Sequence, residues 1–228
     1  MKADAKFIVW DWNGTLLDDA ALWMQAMNSI LVRTNRRPVD LDYFRTVCVF
    51  PVHTTYRNLG FTEDEIENQL SVLHGLAQEH YARAAVAAAL RPSVPALLEQ
   101  WVRQGLSQLI LSNHFVTAIE ADLERFGVRQ HFTRVLAMNH VQEQVVGTIR
   151  KGERLRLYLQ EQGGKPANGL IVGDTEEEVE IARAHGMVSV AITGGVASEE
   201  RLRAAQPDYV IHDLSEMQPI LAAQGFVS

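Results

Sequence analysis

The sequence predicts an α/β fold, a doubly wound parallel sheet with an all-helical segment inserted after its first strand. Two observations predict it. Short runs of β-forming residues alternate with longer stretches of helical period through the second half of the chain. That pattern marks strand–helix–strand units joined by right-handed crossovers. Between Asp11 and Leu109, by contrast, the sequence carries almost no strand signal and reads as successive helices.

Phe7-Ile8-Val9-Trp10 is the first strand. Leu109-Ile110-Leu111, Arg134-Val135-Leu136, Leu170-Ile171-Val172, Ser189-Val190-Ala191-Ile192 and Tyr209-Val210-Ile211 supply the others. Several are apolar on both faces, as strands buried between two helical layers are. Helical patterns at Ile119 to Phe126, Gly152 to Gln162, Glu176 to His185 and Glu199 to Ala205 separate the later strands. The inserted segment reads as helices over about Ala20 to Thr34, Leu41 to Cys48, Val52 to Leu59 and Thr62 to Leu90. Thr62 with Glu65 has the capping-box spacing, and Glu63, Asp64 and Glu67 suit the positive end of a helix dipole. The Ala-rich tail from Ala82 to Leu90 suggests close helix packing, and Arg91-Pro92 a hinge. The expected division is a core of residues 1–17 and 91–228 and a helical insertion of residues 18–90.

A chain of 228 residues buries a sizeable core. Hydrophobic residues make up 47% and charged residues 21%, the balance of a soluble globular protein. A formal charge of -7 argues against nucleic acid or an anionic membrane as partner, but permits a small anionic substrate if the site supplies a cation. The single cysteine, Cys48, excludes an intramolecular disulfide, and its apolar neighbours Val47, Val49 and Phe50 suggest a buried thiol rather than a nucleophile. The apolar run at Phe7 to Trp10 is too short for a signal peptide or membrane span, so a cytoplasmic protein is expected. Oligomeric state is not legible in the sequence.

In an open α/β sheet, ligands bind at the carboxyl ends of the strands. The first strand ends in Asp11-Trp12-Asn13-Gly14-Thr15-Leu16, the second in Ser112-Asn113-His114, and the fourth in Gly173-Asp174-Thr175, while Lys151 opens the helix before the fourth. Two carboxylates, a hydroxyl and a lysine therefore converge on one crevice. Phosphoryl transfer needs such a set: a cation and fixed donors for the phosphoryl oxygens, plus an aligned nucleophile. Asp11 and Asp174 can share Mg²⁺, with Asp11 attacking phosphorus, while Ser112, the Asn113 N–H and Lys151 hold phosphate oxygens. Each piece also has an ordinary structural explanation. Asn13-Gly14 makes a tight turn, Ser-Asn is common in loops, and Thr175 with Glu178 forms a capping box flanked by dipole-matching Glu176 and Glu177. Their coincidence at one sheet edge is what favours chemistry.

Asp11-Trp12-Asn13-Gly14-Thr15-Leu16 resembles the first motif of the haloacid dehalogenase superfamily, and Ser112, Lys151 and Gly173-Asp174-Thr175-Glu176-Glu177-Glu178 resemble the other three. The resemblance spans essentially the whole chain, with the inserted helices placed as that superfamily's first type of cap, and is closest to the phosphoglycolate-phosphatase-like branch. It implies a Rossmann-like core, an aspartyl-phosphate mechanism, and Mg²⁺ held by Asp11, the backbone carbonyl of Asn13, and Asp174. Two departures stand out. Asn13 occupies the position where phosphatases of the superfamily usually carry a second aspartate as general acid and base, which is typically worth about 10²–10⁴-fold. His114 is the nearest substitute proton carrier, its ordinary pKa being near neutral, although it also reads as a plain polar loop residue. Glu178 stands where aspartate is more usual and is left to orient a metal-bound water.

The sequence therefore points to a Mg²⁺-dependent hydrolase of small phosphomonoesters. Carbon–phosphorus cleavage by cap-lysine Schiff-base chemistry is disfavoured, because residues 18–90 contain no lysine. Carbon–halogen hydrolysis needs no Mg²⁺, whereas the acidic Asp174 to Glu178 corner would repel an anionic substrate without one. A catalytically weak phosphate-binding or regulatory protein is the third reading. Receiver domains pair an aspartate with a lysine but are shorter and lack an insertion. Phe50, His53, Tyr56 and Arg57 are the expected substrate-contacting residues of the insertion, Phe50 and Tyr56 being equally suited to its core.

Overall fold

A computed structural model of the protein describes residues 6–139 and 150–227. Six parallel strands form its sheet: β1 (Phe7–Trp10), β4 (Ser107–Phe115), β5 (Arg134–Met138), β6 (Gly169–Gly173), β7 (Val188–Ile192) and β8 (Tyr209–Ile211), in the order β5-β4-β1-β6-β7-β8. β1 lies at the centre, paired in parallel with β4 on one side and β6 on the other. Its four side chains are all fully buried because helices cover both faces. One layer buries Ile8, Trp10 and Ile110 against Leu98 and Trp101 of α5 (Val94–Arg103). Trp10 stacks on Trp101 at 5.1 Å between ring centroids and donates its indole N–H to the Gln108 side chain. The other layer buries Phe7, Val9 and Leu109 against Leu155 and Leu159 of α7 (Lys151–Gln162) and Ile181 of α8 (Glu176–His185). Further helices flank the sheet: α6 (Val116–Arg125), α9 (Glu199–Ala204) and α10 (Met217–Ala223), the last burying Met217, Ile220 and Leu221 in the same layer as Trp10.

The helices of the inserted segment are α1 (Ala20–Arg33), α2 (Leu41–Val47), α3 (Val52–Asn58) and α4 (Glu63–Ala85). They enclose a core of their own, including Ile30, Phe44, Tyr56, Leu70 and Ala77. The Thr62–Glu65 capping box is formed, and Glu65 also pairs with Arg36.

Three features differ from the sequence expectation. α4 stops at Ala85 rather than Leu90, and Ala82, Ala87 and Ala89 are exposed rather than packed against a helix. The chain turns there because Arg125 donates to the carbonyls of Val86 and Ala88 at 2.9 and 3.0 Å, and because Ala89–Leu90 (β3) pairs antiparallel with Leu17–Asp18 (β2). This two-stranded ribbon joins the inserted segment to the sheet. β4 runs on through Ser112-Asn113-His114 to Phe115 instead of ending before them, past an irregularity in its pairing with β5. No helix among the described residues is long and apolar enough to cross a membrane.

Candidate active site

The strand order reverses at β1 and β6, and the polar residues gather at their carboxyl ends. Asp11 follows β1 and donates its N–H to Val172 O of β6 at 2.9 Å. Beyond it the chain folds tightly, with the N–H groups of Thr15, Leu16 and Leu17 all directed at Trp12 O. Gly14 sits at φ +73°, and a Cβ there would lie 2.3 Å from Asp174 Oδ2. Gly195 closes on the same oxygen from β7, where a Cβ would lie 2.0 Å away. Asp174 is thus held in a slot that only glycines on both sides leave open. The Thr15 hydroxyl lies between the two carboxylates, 3.0 Å from Asp174 Oδ1 and 3.3 Å from Asp11 Oδ2. The Val196 N–H fixes the remaining Asp174 oxygen at 2.7 Å.

Lys151, the first residue of α7, is buried, and its ammonium donates to Asp11 Oδ1 at 2.6 Å and to Glu178 Oε1. Glu178 has a second duty. Its other oxygen accepts from the Thr175 N–H and hydroxyl in the capping box that starts α8. Glu178 therefore steers the lysine and stiffens the helix start. Asn113 donates to Glu177 at 2.6 Å, and Ser112 Oγ accepts the His114 N–H at 3.1 Å.

Burial dominates the electrostatics here. It pushes the Asp11 carboxyl well above the usual range, against the pull of Lys151. Burial and then Glu178 raise Asp174 to about 6, and burial raises Glu177 to about 7. Burial alone would lower Lys151, but Asp11 and Glu178 outweigh it and hold the ammonium form. One buried lysine among four carboxylates leaves a corner short of positive charge.

Asp11, Asn13, Ser112, Asn113, His114, Lys151 and Asp174, the residues singled out from the sequence, all line one cavity. Its other wall comes from the inserted segment. Of the four residues expected there, only Phe50 lines it. Tyr56 is fully buried in the helical core, and Arg57 pairs with Glu63 at the surface. The helical period of α3 turns Val52 and Thr55 to the cavity instead. Trp23, Met27, His74 and Gln78, on α1 and α4, were missed because their spacing is that of ordinary core positions. Cys48 also lines the cavity; burial pushes its thiol up to about 12, so it is not a nucleophile.

Asn13 and His114 are both tied into the inserted segment. Asn13 donates its amide to Asp19 Oδ2 at 2.6 Å and lies 2.9 Å from the Tyr81 hydroxyl, which itself donates to Asp19 at 2.5 Å. Asp19 also accepts the Gly14 N–H at 2.7 Å, and burial raises its carboxyl to about 6. Neither Asp19 nor Tyr81 belongs to a motif, and only the fold brings them to Asn13. His114 is buried in β4 rather than placed on a loop, edge-on to Trp23 and Tyr81. Burial lowers it to about 4, which keeps it uncharged at neutral pH.

A model of the haloacid dehalogenase-like hydrolases matches residues 8–192, from β1 to the end of β7. The chain belongs to that family. Among curated relatives of this haloacid dehalogenase-like hydrolase, a phosphoglycolate phosphatase from Synechococcus elongatus is 28% identical over 210 residues, covering 92% of this chain and 94% of that one. A phosphoglycolate phosphatase from Vibrio parahaemolyticus is 23% identical over 228 residues, covering 97% and 98%. A solved haloacid dehalogenase-like hydrolase from Streptococcus pneumoniae shares the fold at a TM-score of 0.80 and 20% identity, over 96% of this chain and 99% of that one.

Proposed function

We propose that this haloacid dehalogenase-like hydrolase is a Mg²⁺-dependent phosphatase of small phosphomonoesters, with Asp11 as nucleophile and residues 18–90 as a cap over a core of residues 1–17 and 91–228. The reading rests on one observation above all. Asp11 and Asp174 face each other across Thr15, with Lys151 on Asp11, at the base of one cavity.

The donor set suits Mg²⁺. Among the described residues no group of three or more His, Cys, Asp or Glu side chains is arranged to hold a metal alone. Asp11, Asp174 and the Asn13 carbonyl would therefore share it with waters and a phosphate oxygen, as Mg²⁺ prefers to be held. The raised carboxylates of this corner are what a divalent cation would restore to the ionised form. When bound, the cation supplies charge neutralisation between the nucleophile and the phosphoryl oxygens.

The chain's own residues would act as follows. Lys151 orients Asp11 and faces the phosphoryl group, and Ser112 with the Asn113 N–H holds its oxygens. An Asp11 oxygen attacks phosphorus while the ester P–O bond breaks, its electron pair leaving with the alcohol oxygen. Water then attacks phosphorus, the bond to Asp11 breaks, and phosphate departs. Asn13 cannot carry the proton that the leaving alcohol needs. His114, uncharged, offers no imidazolium in its place. Good leaving groups are therefore favoured, and turnover of alkyl esters is slow.

Phosphate release from a panel of phosphorylated metabolites, with Mg²⁺ or excess chelator, tests this. Hydrolysis is expected only with Mg²⁺, and calorimetry should show Mg²⁺ binding that Asp174→Ala weakens severely. Unchanged hydrolysis in chelator would rule out the metal-dependent reading. Phosphate binding without turnover would make the protein the weak binding member that Asn13 also suggests.

A further inference from the structure

The phosphoryl end of the cavity is crowded with charge, and among the described residues the opposite wall carries no lysine, arginine or carboxylate. Trp23, Met27, Phe44, Val49, Phe50 and Val52 give that wall its apolar surface. Its polar groups are Thr55, His74, Gln78 and, at the junction with the sheet, His114. Among the lining residues Lys151 is the sole lysine or arginine, and it is already engaged by Asp11 and Glu178. Residues 140–149, outside the described part, contain neither lysine nor arginine, and His140 is their one basic side chain. Arg154 donates to Ser112 O and Asn113 Oδ1 at 2.8 and 3.0 Å, at the phosphoryl end rather than the apolar wall, and the other nearby arginines are occupied elsewhere. Arg45 and Arg91 donate to backbone carbonyls of Gly194, Gly195 and Gly14. Arg201 pairs with Glu176.

We propose that the substrate is a small phosphate monoester whose alcohol half is uncharged, with an apolar body and a hydrogen-bonding group, and not one bearing a second anion. This deepens the phosphatase reading above and rests on it. The names of the curated relatives would suggest phosphoglycolate, whose carboxylate would have to lie against this wall. A buried carboxylate without a partner costs several kcal/mol. Of the two lining imidazoles, His114 is kept uncharged by burial, and His74 is buried with its Nε2 held 3.2 Å from the Gln78 amide. The Gln78–His74 pair is the polar group this wall presents toward a hydroxyl or amide of the alcohol, the Thr55 hydroxyl being engaged by the Val49 backbone.

An isosteric pair isolates the charge. 2-Phosphoglycolate and its neutral amide, 2-phosphoglycolamide, are compared with n-propyl phosphate in two measurements. These are kcat/KM with Mg²⁺ for the native protein, and calorimetric Kd with Mg²⁺ for the non-turning-over Asp11→Asn protein. The amide and the propyl ester should each show a kcat/KM about tenfold or more above that of the acid and a Kd about tenfold or more below it, the size of one lost charge-assisted contact. Val52→Arg, which adds a cation to the apolar wall, should narrow or reverse that order. Tighter binding and faster hydrolysis of the acid by the native wall would overturn the proposal, as would failure of all three to bind. Binding in the expected order with no hydrolysis of any ester would instead sink the phosphatase reading and leave the ligand class standing.

Discussion

Asn13 spends its side-chain amide on Asp19 and Tyr81, and this decides what an aspartate there would do. Asn13→Asp alone would set a carboxylate 2.6 Å from Asp19 Oδ2 with no donor between them. Like charges at that distance cannot both ionise in a buried site, so the pair would have to share a proton. Combining Asn13→Asp with Asp19→Asn exchanges donor and acceptor and keeps the contact. The double variant should raise kcat on n-propyl phosphate by about tenfold or more, and on para-nitrophenyl phosphate by less, because that leaving group departs as a stable anion. Steady-state rates on both esters check this; equal gains on both would defeat the leaving-group argument. His114 gives a second prediction at this scale. Its folded pKa, about 4, lies below its ordinary 6.5, so the unfolded chain binds more protons between those values. Stability contributed above pH 6.5 is therefore lost as pH falls toward 4, by about 3 kcal/mol. Denaturation of the native and His114→Leu proteins at pH 7 and pH 4.5 should show the native protein losing more; parallel losses would mean that His114 is not buried in its neutral form.

At the scale of elements, two arginines fasten the inserted helices to the sheet. Arg45 of α2 donates to Gly195 O and Gly194 O, both at 3.0 Å. Arg201 of α9 donates to Arg45 O and Cys48 O at 2.7 and 2.6 Å while paired with Glu176. The opposite attachment is the β2–β3 ribbon, two residues on each side. In the proposed cap the ribbon would be the pivot and the arginines the latch of a lid that shuts out water. Arg201→Ala should speed hydrogen exchange across Leu41–Val47, raise KM several-fold, and leave the protein folded. Solution scattering and exchange that show no ligand-dependent change in residues 18–90, in the native protein and the variant alike, would remove the gating idea. The ribbon was not legible in the sequence because pairs of two residues are too short to show a period. The end of α4 was hidden for a related reason: alanine favours helix wherever it stands, and the carbonyls of Val86 and Ala88 just past the helix end are taken by Arg125, remote in the chain.

For the whole molecule, the four motif positions were readable because each lies at the end of a strong local signal, an apolar strand or a capped helix. The cavity wall was not readable, since Trp23, Met27 and His74 fall at helical spacings that any core would use. What depends on the entire fold is charge: Asp11 from the first strand and Asp174, Glu177 and Glu178 from the fourth strand's end meet around a single lysine, Lys151, from a third part of the chain. A cation that binds only the folded state should therefore stabilise it. At a hundred times its Kd, Mg²⁺ should add about 2.7 kcal/mol, a gain read as a rise in Tm that Asp174→Asn abolishes. An unchanged Tm would argue that the corner needs no metal.

The aspartyl-phosphate itself is open to direct capture. A good substrate such as para-nitrophenyl phosphate is mixed with protein and Mg²⁺, quenched within one turnover, reduced with borohydride and analysed by peptide mass spectrometry. Reduction turns an acyl phosphate into an alcohol, so position 11 should become lighter in the native protein and stay unchanged in Asp11→Asn. Substrate hydrolysed with Asp11 unmodified, or the label found on another residue, would contradict the assignment of Asp11 as nucleophile.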